Sequence, residues 1–322
     1  MYKVLRCDPA LFEKDLTGRV CIVTGANSGC GLATAEQLVR QGAHVVAACR
    51  RVGAAEKALA HLAREKGSVE VMQLDLNSLA SVRDFVSAFE KRHNRLQGLV
   101  NNAGVMNTPR GRTEDEFETQ IGVNYLGHFL LTELLLPRLR SGAPSRVVCV
   151  SSSAHAGVLN RLGTIDVDDL HFDRRPYDGG RAYIQSKLAL VIYARHLAKR
   201  LEGTGVAVFS THPGWVRSNL VKHTVPTWVQ NVLMKPLSGL LGMISAEDGA
   251  QTQLHCLLDD DAPDHSGEYY SQIGLLYPDR KSRAGGWPMR SPNPLVYDDA
   301  LAERLYEASA EMVGLRDHGS EA

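Results

Sequence analysis

The stretch Arg19 to Leu32, RVCIVTGANSGCGL, decides the fold. Its first half, RVCIVTG, is a short apolar run without alternation, the pattern of a strand covered on both faces. Its second half, TGANSGCGL at residues 24 to 32, interrupts that run with glycines before a helical pattern begins near residue 30. A strand that passes through glycines into a helix lets the backbone turn tightly beside the helix N-terminus, where unpaired N–H groups favour an anion. Gly25, Gly29 and Gly31 therefore fit a pyrophosphate cradle, with Asn27 and Ser28 in the same loop as candidate cofactor contacts.

The same alternation continues along the chain. Apolar runs HVVAACR (44–50), VEVMQLDL (69–76), GLVNNAG (98–104), RVVCVSS (146–152) and VAVFSTHPG (206–214) alternate with helical patterns. Those helices are expected at about 30–41, after residue 51, near 79–92, near 115–140 and at about 183–201. Short apolar strands between amphipathic helices imply an α/β fold: a doubly wound parallel sheet of Rossmann type, in a single domain. Ligands of such sheets sit beyond the carboxyl ends of the strands, so the loops there are the places to look for chemistry.

Composition narrows the function classes. Lysine plus arginine and aspartate plus glutamate both number 36 in 322 residues, so no net field favours nucleic acid or an anionic membrane. The six cysteines show no CxxC pairing and lie mostly in or beside apolar runs, as reduced thiols used as small hydrophobes do. MYKVLRCDPALFEKDLTGRV at the start lacks the continuous apolar segment of a signal peptide or membrane span, and cytoplasmic residence is expected.

The end of the second strand points to the cofactor. An NAD site usually carries an acidic residue there to accept from the ribose hydroxyls. Cys49 holds that place, followed by Arg50 and Arg51, so nothing repels a 2′-phosphate and an arginine is at hand to bind it. NADP(H) is the expected cofactor. Asp75, ending the third run, is set to accept from the adenine amino group, or to cap the helix before LNSLASV.

TGANSGCG, NNAG (101–104), GVNYLGHF (122–129), VSS (150–152), YIQSK (183–187) and HPGWVRS (212–218) follow one another in this order. With them the sequence resembles the short-chain dehydrogenase/reductases over roughly residues 17–275. The resemblance implies a dinucleotide enzyme with a catalytic tetrad, carried here by Asn124, Ser152, Tyr183 and Lys187. A free phenol titrates near pH 10, too high for a good base at neutrality, so a cation one helical turn along is what Tyr183 needs. By the same resemblance Ser152 holds the substrate oxygen and Asn124 holds a helix distortion and a water leading to Lys187. Ser151 and Ser153 are rivals to Ser152, and the family pattern selects the second serine of VSS. His155 invites a hydrolase reading, but no GxSxG elbow accompanies it.

Further contacts follow from the resemblance: Asn102, Ala103 and Gly104 beside the cofactor ribose, Leu76 next to Asp75, and Pro213, Gly214, Val216 and Ser218 around the carboxamide. Lys187 also reaches the ribose, and Tyr183 lines the same site. RVVCVSSSAH, YIQSKLAL and THPGWVRS look most like the retinol dehydrogenase-like branch, which acts on lipophilic carbonyls and alcohols.

On this reading residues 1–16 are an N-terminal arm, 17–275 the Rossmann domain, and 276–322 a C-terminal extension packed on it. The stretch at about 219–245 is the substrate lid, and Trp228, Leu237 and Leu240 make it apolar, which suits a lipophilic small-molecule substrate. Peripheral membrane contact is the competing reading of the lid. A homo-oligomer is implied by family analogy. Two other functions remain in view: a carbon–carbon double-bond reductase of the same fold, and a non-catalytic NADP(H)-binding sensor or scaffold.

Overall fold

Val20–Thr24 forms β1, near the middle of a parallel sheet, and its four residues after Val20 are buried. The computed structural model describes residues 4–158, 161–216, 243–272 and 286–315. Along the chain β1 is followed by α1 (Gly29–Arg40), β2 (His44–Cys49), α2 (Val52–Leu59), β3 (Ser68–Gln73), α3 (Leu79–Glu90) and β4 (Gly98–Asn101). Then come α4 (Gly127–Ser141), β5 (Ser145–Val150), a hairpin of β6 (Gly157–Val158) with β7 (Arg161–Leu162), α5 (Gly179–Arg200) and β8 (Val206–His212). The chain closes with α6 (Ala246–Leu258), β9 (Tyr269–Ser271) and α7 (Asp299–Met312).

The sheet runs in the order β3, β2, β1, β4, β5, β8, β9, every pairing parallel. The order reverses between β1 and β4, which opens a crevice beyond their carboxyl ends. Each face carries a core. Phe89, Phe129, Leu190 and Tyr193 from α3, α4 and α5 pack on one side, and Leu38, Val39 and Leu254 from α1 and α6 on the other. Each such side chain contributes about 1.5–3 kcal/mol through burial.

Three boundaries differ from the sequence reading. β9 is three residues long, too short for a periodicity to reveal, and it exists because Tyr269 to Ser271 align with Ser210 to His212 of β8. α5 begins at Gly179, four residues before Tyr183, because the Asp178 carboxylate caps it by accepting from the Arg181 N–H at 2.8 Å. The helix expected from residue 115 starts later: Glu118 caps a turn at Thr119–Ile121, and a wider π-turn at Gly122–Leu126 leads into α4.

The first and last described segments pack onto the two cores. Leu11 and Leu16 of the N-terminal segment are buried, and the Leu5 N–H donates to Gln272 Oε1. α7 packs beside α5, with Ser309 at 2.8 Å from the Tyr125 hydroxyl. No helix among the described residues is long and apolar enough to cross a membrane.

Candidate active site

The glycine loop is built for close approach. Gly25 has φ +67°, and a Cβ there would lie 3.1 Å from the Ala103 Cα. At Gly31 a Cβ would meet Asn102 Nδ2 at 2.4 Å and the Gly25 carbonyl at 2.7 Å. The ends of β1 and β4 are laced across that gap: Asn102 Nδ2 donates to the Thr24 carbonyl, and the Asn102 and Ala103 N–H groups donate to the Thr24 hydroxyl, each at 2.9 Å. Ser28 stands at the N-cap of α1 without a capping side-chain bond, so the first-turn N–H groups, with the helix dipole behind them, keep their capacity for an anion. The residues thus fit a dinucleotide pyrophosphate.

A cleft of about 1500 Å³ begins at this loop and runs along the strand ends. That exceeds the usual volume for one drug-sized ligand and leaves room for a dinucleotide and a second molecule. Asn27, Ser28, Gly29, Arg50, Arg51, Asp75 and Leu76 line one end of it. Arg50 and Arg51 are exposed and make no ion pair among the described residues. Cys49 sits beside them, its thiol donating to Asn27 Oδ1 at 3.8 Å. Asp75 lies two residues past β3 and does not cap α3: its carboxylate accepts from the Asn77 N–H, while Ser78 holds the N-cap position.

The other end holds the four tetrad positions. Lys187, 4 % exposed, donates from Nζ to the Val150 carbonyl at 2.8 Å, and Nζ stands 5.9 Å from the centre of the Tyr183 ring. Burial pulls the Lys187 ammonium down to about 8. Asn124 is fully buried within the π-turn, where its side chain exchanges two hydrogen bonds with the Val105 backbone and donates to Ser186 Oγ. Ser186 in turn donates to the Tyr183 carbonyl at 2.8 Å. Gly104 threads between these groups, since a Cβ on it would be 3.0 Å from Asn124 Oδ1 and 3.5 Å from Lys187 Nζ. Ser152 and Tyr183 line the cleft together.

The rival serines divide. Ser151 spends its hydroxyl on the Lys187 carbonyl at 2.7 Å, which anchors β5 to α5. Ser153 is buried in the turn that follows. Both His155 nitrogens are committed to structure, Nδ1 to the Ser152 carbonyl at 2.6 Å and Nε2 to Ser291 Oγ at 2.8 Å. Burial holds its imidazole down to about 4, and a neutral ring fixed at both ends is no hydrolase base. His212, also in the cleft wall, is driven down to about 3 by burial, with His155 and Lys187 adding to the effect.

Pro213, Gly214 and Val216 line the cleft after β8, and Val216 bridges to Ile244. Ser218 lies outside the described residues, as do positions 219–242 of the expected lid. All six cysteines are free and buried, and burial pushes the Cys30 and Cys149 thiols up to about 12, which keeps them protonated.

The profile of the short chain dehydrogenase family matches residues 19–161, which carry the glycine loop, NNAG and VSS. Retinol dehydrogenase 12 of Homo sapiens is 42% identical over 303 residues, covering 94% of this chain and 88% of that protein. This chain belongs to the short-chain dehydrogenase/reductase family. Within the family it falls in the retinol dehydrogenase branch, an oxidoreductase lineage whose fold binds NAD(P)(H). The dehydrogenase/reductase SDR family member 13 of Bos taurus is also 42% identical, covering 98% of this chain and 78% of that protein. A solved structure of an uncharacterized protein from Mycobacterium paratuberculosis superposes with a TM-score of 0.73 at 34% identity, covering 94% of this chain and 95% of that one.

Sequence reasoning missed Ser291 and Asn293. Asn293 donates to the carbonyls of His155 and Gly163 at 2.8 and 2.9 Å, so the C-terminal extension holds the loop that follows Ser152. SPNP reads locally as a turn, and nothing local ties it to a serine some 140 residues earlier.

Proposed function

We propose that this protein is an NADP(H)-dependent oxidoreductase that interconverts a carbonyl and an alcohol on a lipophilic small molecule, with Tyr183 as general acid and base. The observation that carries this reading is the buried Lys187 ammonium beside the Tyr183 ring, in a cleft continuous with an uncapped helix N-terminus. A dinucleotide held by the glycine loop and residues 102–104 supplies the hydride when bound. In reduction the Ser152 hydroxyl donates to the carbonyl oxygen, and Tyr183 delivers its proton as negative charge gathers there. Lys187 stabilises the phenolate that remains. Asn124 keeps Val105 and the Ser186 to Tyr183 contact in register, so the phenol meets the cleft at one angle.

Two features support the finer choices. Arg50 and Arg51, unpaired among the described residues at the loop end of the cleft, favour a 2′-phosphate. Val105, Met106, Phe172 and Ile184 give the far wall an apolar strip beside the charged Arg161, Arg175, Asp178 and Arg181, and Val158 and Leu162 stay exposed on the β6–β7 hairpin at its edge. The test is dinucleotide absorbance with NADPH or NADH and a panel from short aldehydes to retinal and steroid ketones. Wild type is expected to turn over the lipophilic members with NADPH, and Tyr183→Phe to lose at least about a hundredfold in rate while still binding NADPH. A Tyr183→Phe variant as fast as wild type sinks the mechanism.

A further inference from the structure

His128, in the first turn of α4, is 1 % exposed and has no part in the proton path described above. Its two ring nitrogens nevertheless join the two halves of the cleft. Nδ1 lies 2.9 Å from the Asn124 carbonyl, and Nε2 lies 2.9 Å from the Thr24 hydroxyl. A carbonyl oxygen only accepts, so Nδ1 carries the proton and Nε2 presents its lone pair. The Thr24 hydroxyl must then donate to Nε2. Its other candidate acceptor, the Val100 carbonyl, is more distant at 3.3 Å.

The bonds close a ring. Thr24 Oγ accepts from the N–H groups of Asn102 and Ala103, using both of its lone pairs. Two residues on, Val105 is held at N–H and carbonyl by the Asn124 side chain. The segment 102–105 is therefore clamped at one end by Thr24 and at the other by Asn124, and His128 bonds to both clamps. The two clamps are fully buried, Thr24 and Asn124 both at 0 %, while the loop between them is half-buried and lines the cleft. Burial holds the His128 imidazole down to about 4, so the ring stays neutral at physiological pH and keeps a single tautomer.

We propose that His128 is a positioning residue that braces the 102–105 loop and the Asn124 turn as one unit, coupling dinucleotide binding at Thr24 to proton delivery at Asn124. The proposal takes the cleft as a dinucleotide site and rests on that reading. Its two bonds have separate consequences. Loss of the Thr24 bond loosens the loop beside the dinucleotide, whereas loss of the Asn124 bond takes a side-chain donor away from the turn that aligns Ser186 and Tyr183.

Two variants separate these bonds. His128→Asn keeps an N–H where Nδ1 stood but cannot reach Thr24, and His128→Gln reaches Thr24 but brings no donor to Asn124. With NADPH and retinal as probes, His128→Asn is expected to weaken NADPH binding about tenfold and leave kcat within about twofold. His128→Gln is expected to do the reverse, lowering kcat about tenfold with NADPH binding nearly unchanged. Both variants losing binding and kcat together, in step with their melting temperatures, would reduce His128 to a packing residue and overturn the proposal. So would wild-type behaviour in both.

A third measurement needs neither turnover nor a folded variant: the ¹⁵N spectrum of histidine-labelled wild type near neutral pH. A neutral Nδ1–H form for His128 is expected, and an Nε2–H or doubly protonated ring refutes the brace. If wild type binds NADPH but ignores retinal, the substrate reading fails while binding and tautomer still decide the brace.

Discussion

Lys187→Met removes a buried cation and should stabilise the fold while ending turnover. Burial lowers this ammonium from 10.5 to about 8. That gap of about 2.5 corresponds to about 3 kcal/mol of charge burial carried by the folded protein at neutrality. The Val150 carbonyl loses its 2.8 Å donor, which costs about 1 kcal/mol. The net gain is about 2 kcal/mol. With an unfolding entropy of about 2.1 cal/mol/K per residue over 322 residues, the melting temperature should rise by about 3 °C.

The pH dependence gives this prediction its sign. Below about 8 the lysine is charged in both the folded and the unfolded chain, and the folded protein bears the whole penalty. Between about 8 and 10.5 only the unfolded chain is protonated, so wild-type stability rises with pH through that window. Calorimetry on both proteins should therefore find the difference in melting temperature near 3 °C at neutrality and shrinking as pH approaches 10.5. A methionine variant that melts lower at neutrality, or a gap indifferent to pH, refutes the reasoning.

Arg50→Ala should weaken NADPH binding about tenfold and leave NADH binding unchanged, because only the 2′-phosphate needs the guanidinium; fluorescence titration with both dinucleotides checks it. Gly31→Ala should abolish dinucleotide binding, since its Cβ would sit 2.4 Å from Asn102 Nδ2 and 2.7 Å from the Gly25 carbonyl; calorimetric titration with NADPH reads the loss. Asn293→Ala strands the buried carbonyls of His155 and Gly163, so it should cost about 2–4 kcal/mol in a denaturant melt and slow turnover through the Ser152 loop.

Much of the site could be read from the sequence because its parts are local. The glycine loop is a strand running into a helix, and Tyr183 with Lys187 is one helical turn, so spacing alone brings each set together. Asp75 shows the limit of local reading. Its place before a helix resembles a cap, but Ser78 takes that position and the Leu79 N–H is claimed by Asp115, 36 residues on. β9 was illegible for a similar reason, since three residues carry no period and only the neighbouring β8 gives them a partner.

The sequence by itself determined the alternation of β1 to β5 and β8 with their helices, the cradle glycines and the one-turn spacing of Tyr183 and Lys187, because burial pattern and short-range geometry act over a few residues. Only the tertiary structure decided how those groups are held. Ser151 turns to the Lys187 carbonyl and leaves Ser152 in the cleft wall, the C-terminal Asn293 secures the serine loop, and His128 joins Thr24 to Asn124. These are single hydrogen bonds between buried groups 36 to 138 residues apart in the longer cases. Their partners are chosen by which donor and acceptor meet once water is excluded, and no spacing along the chain encodes that choice.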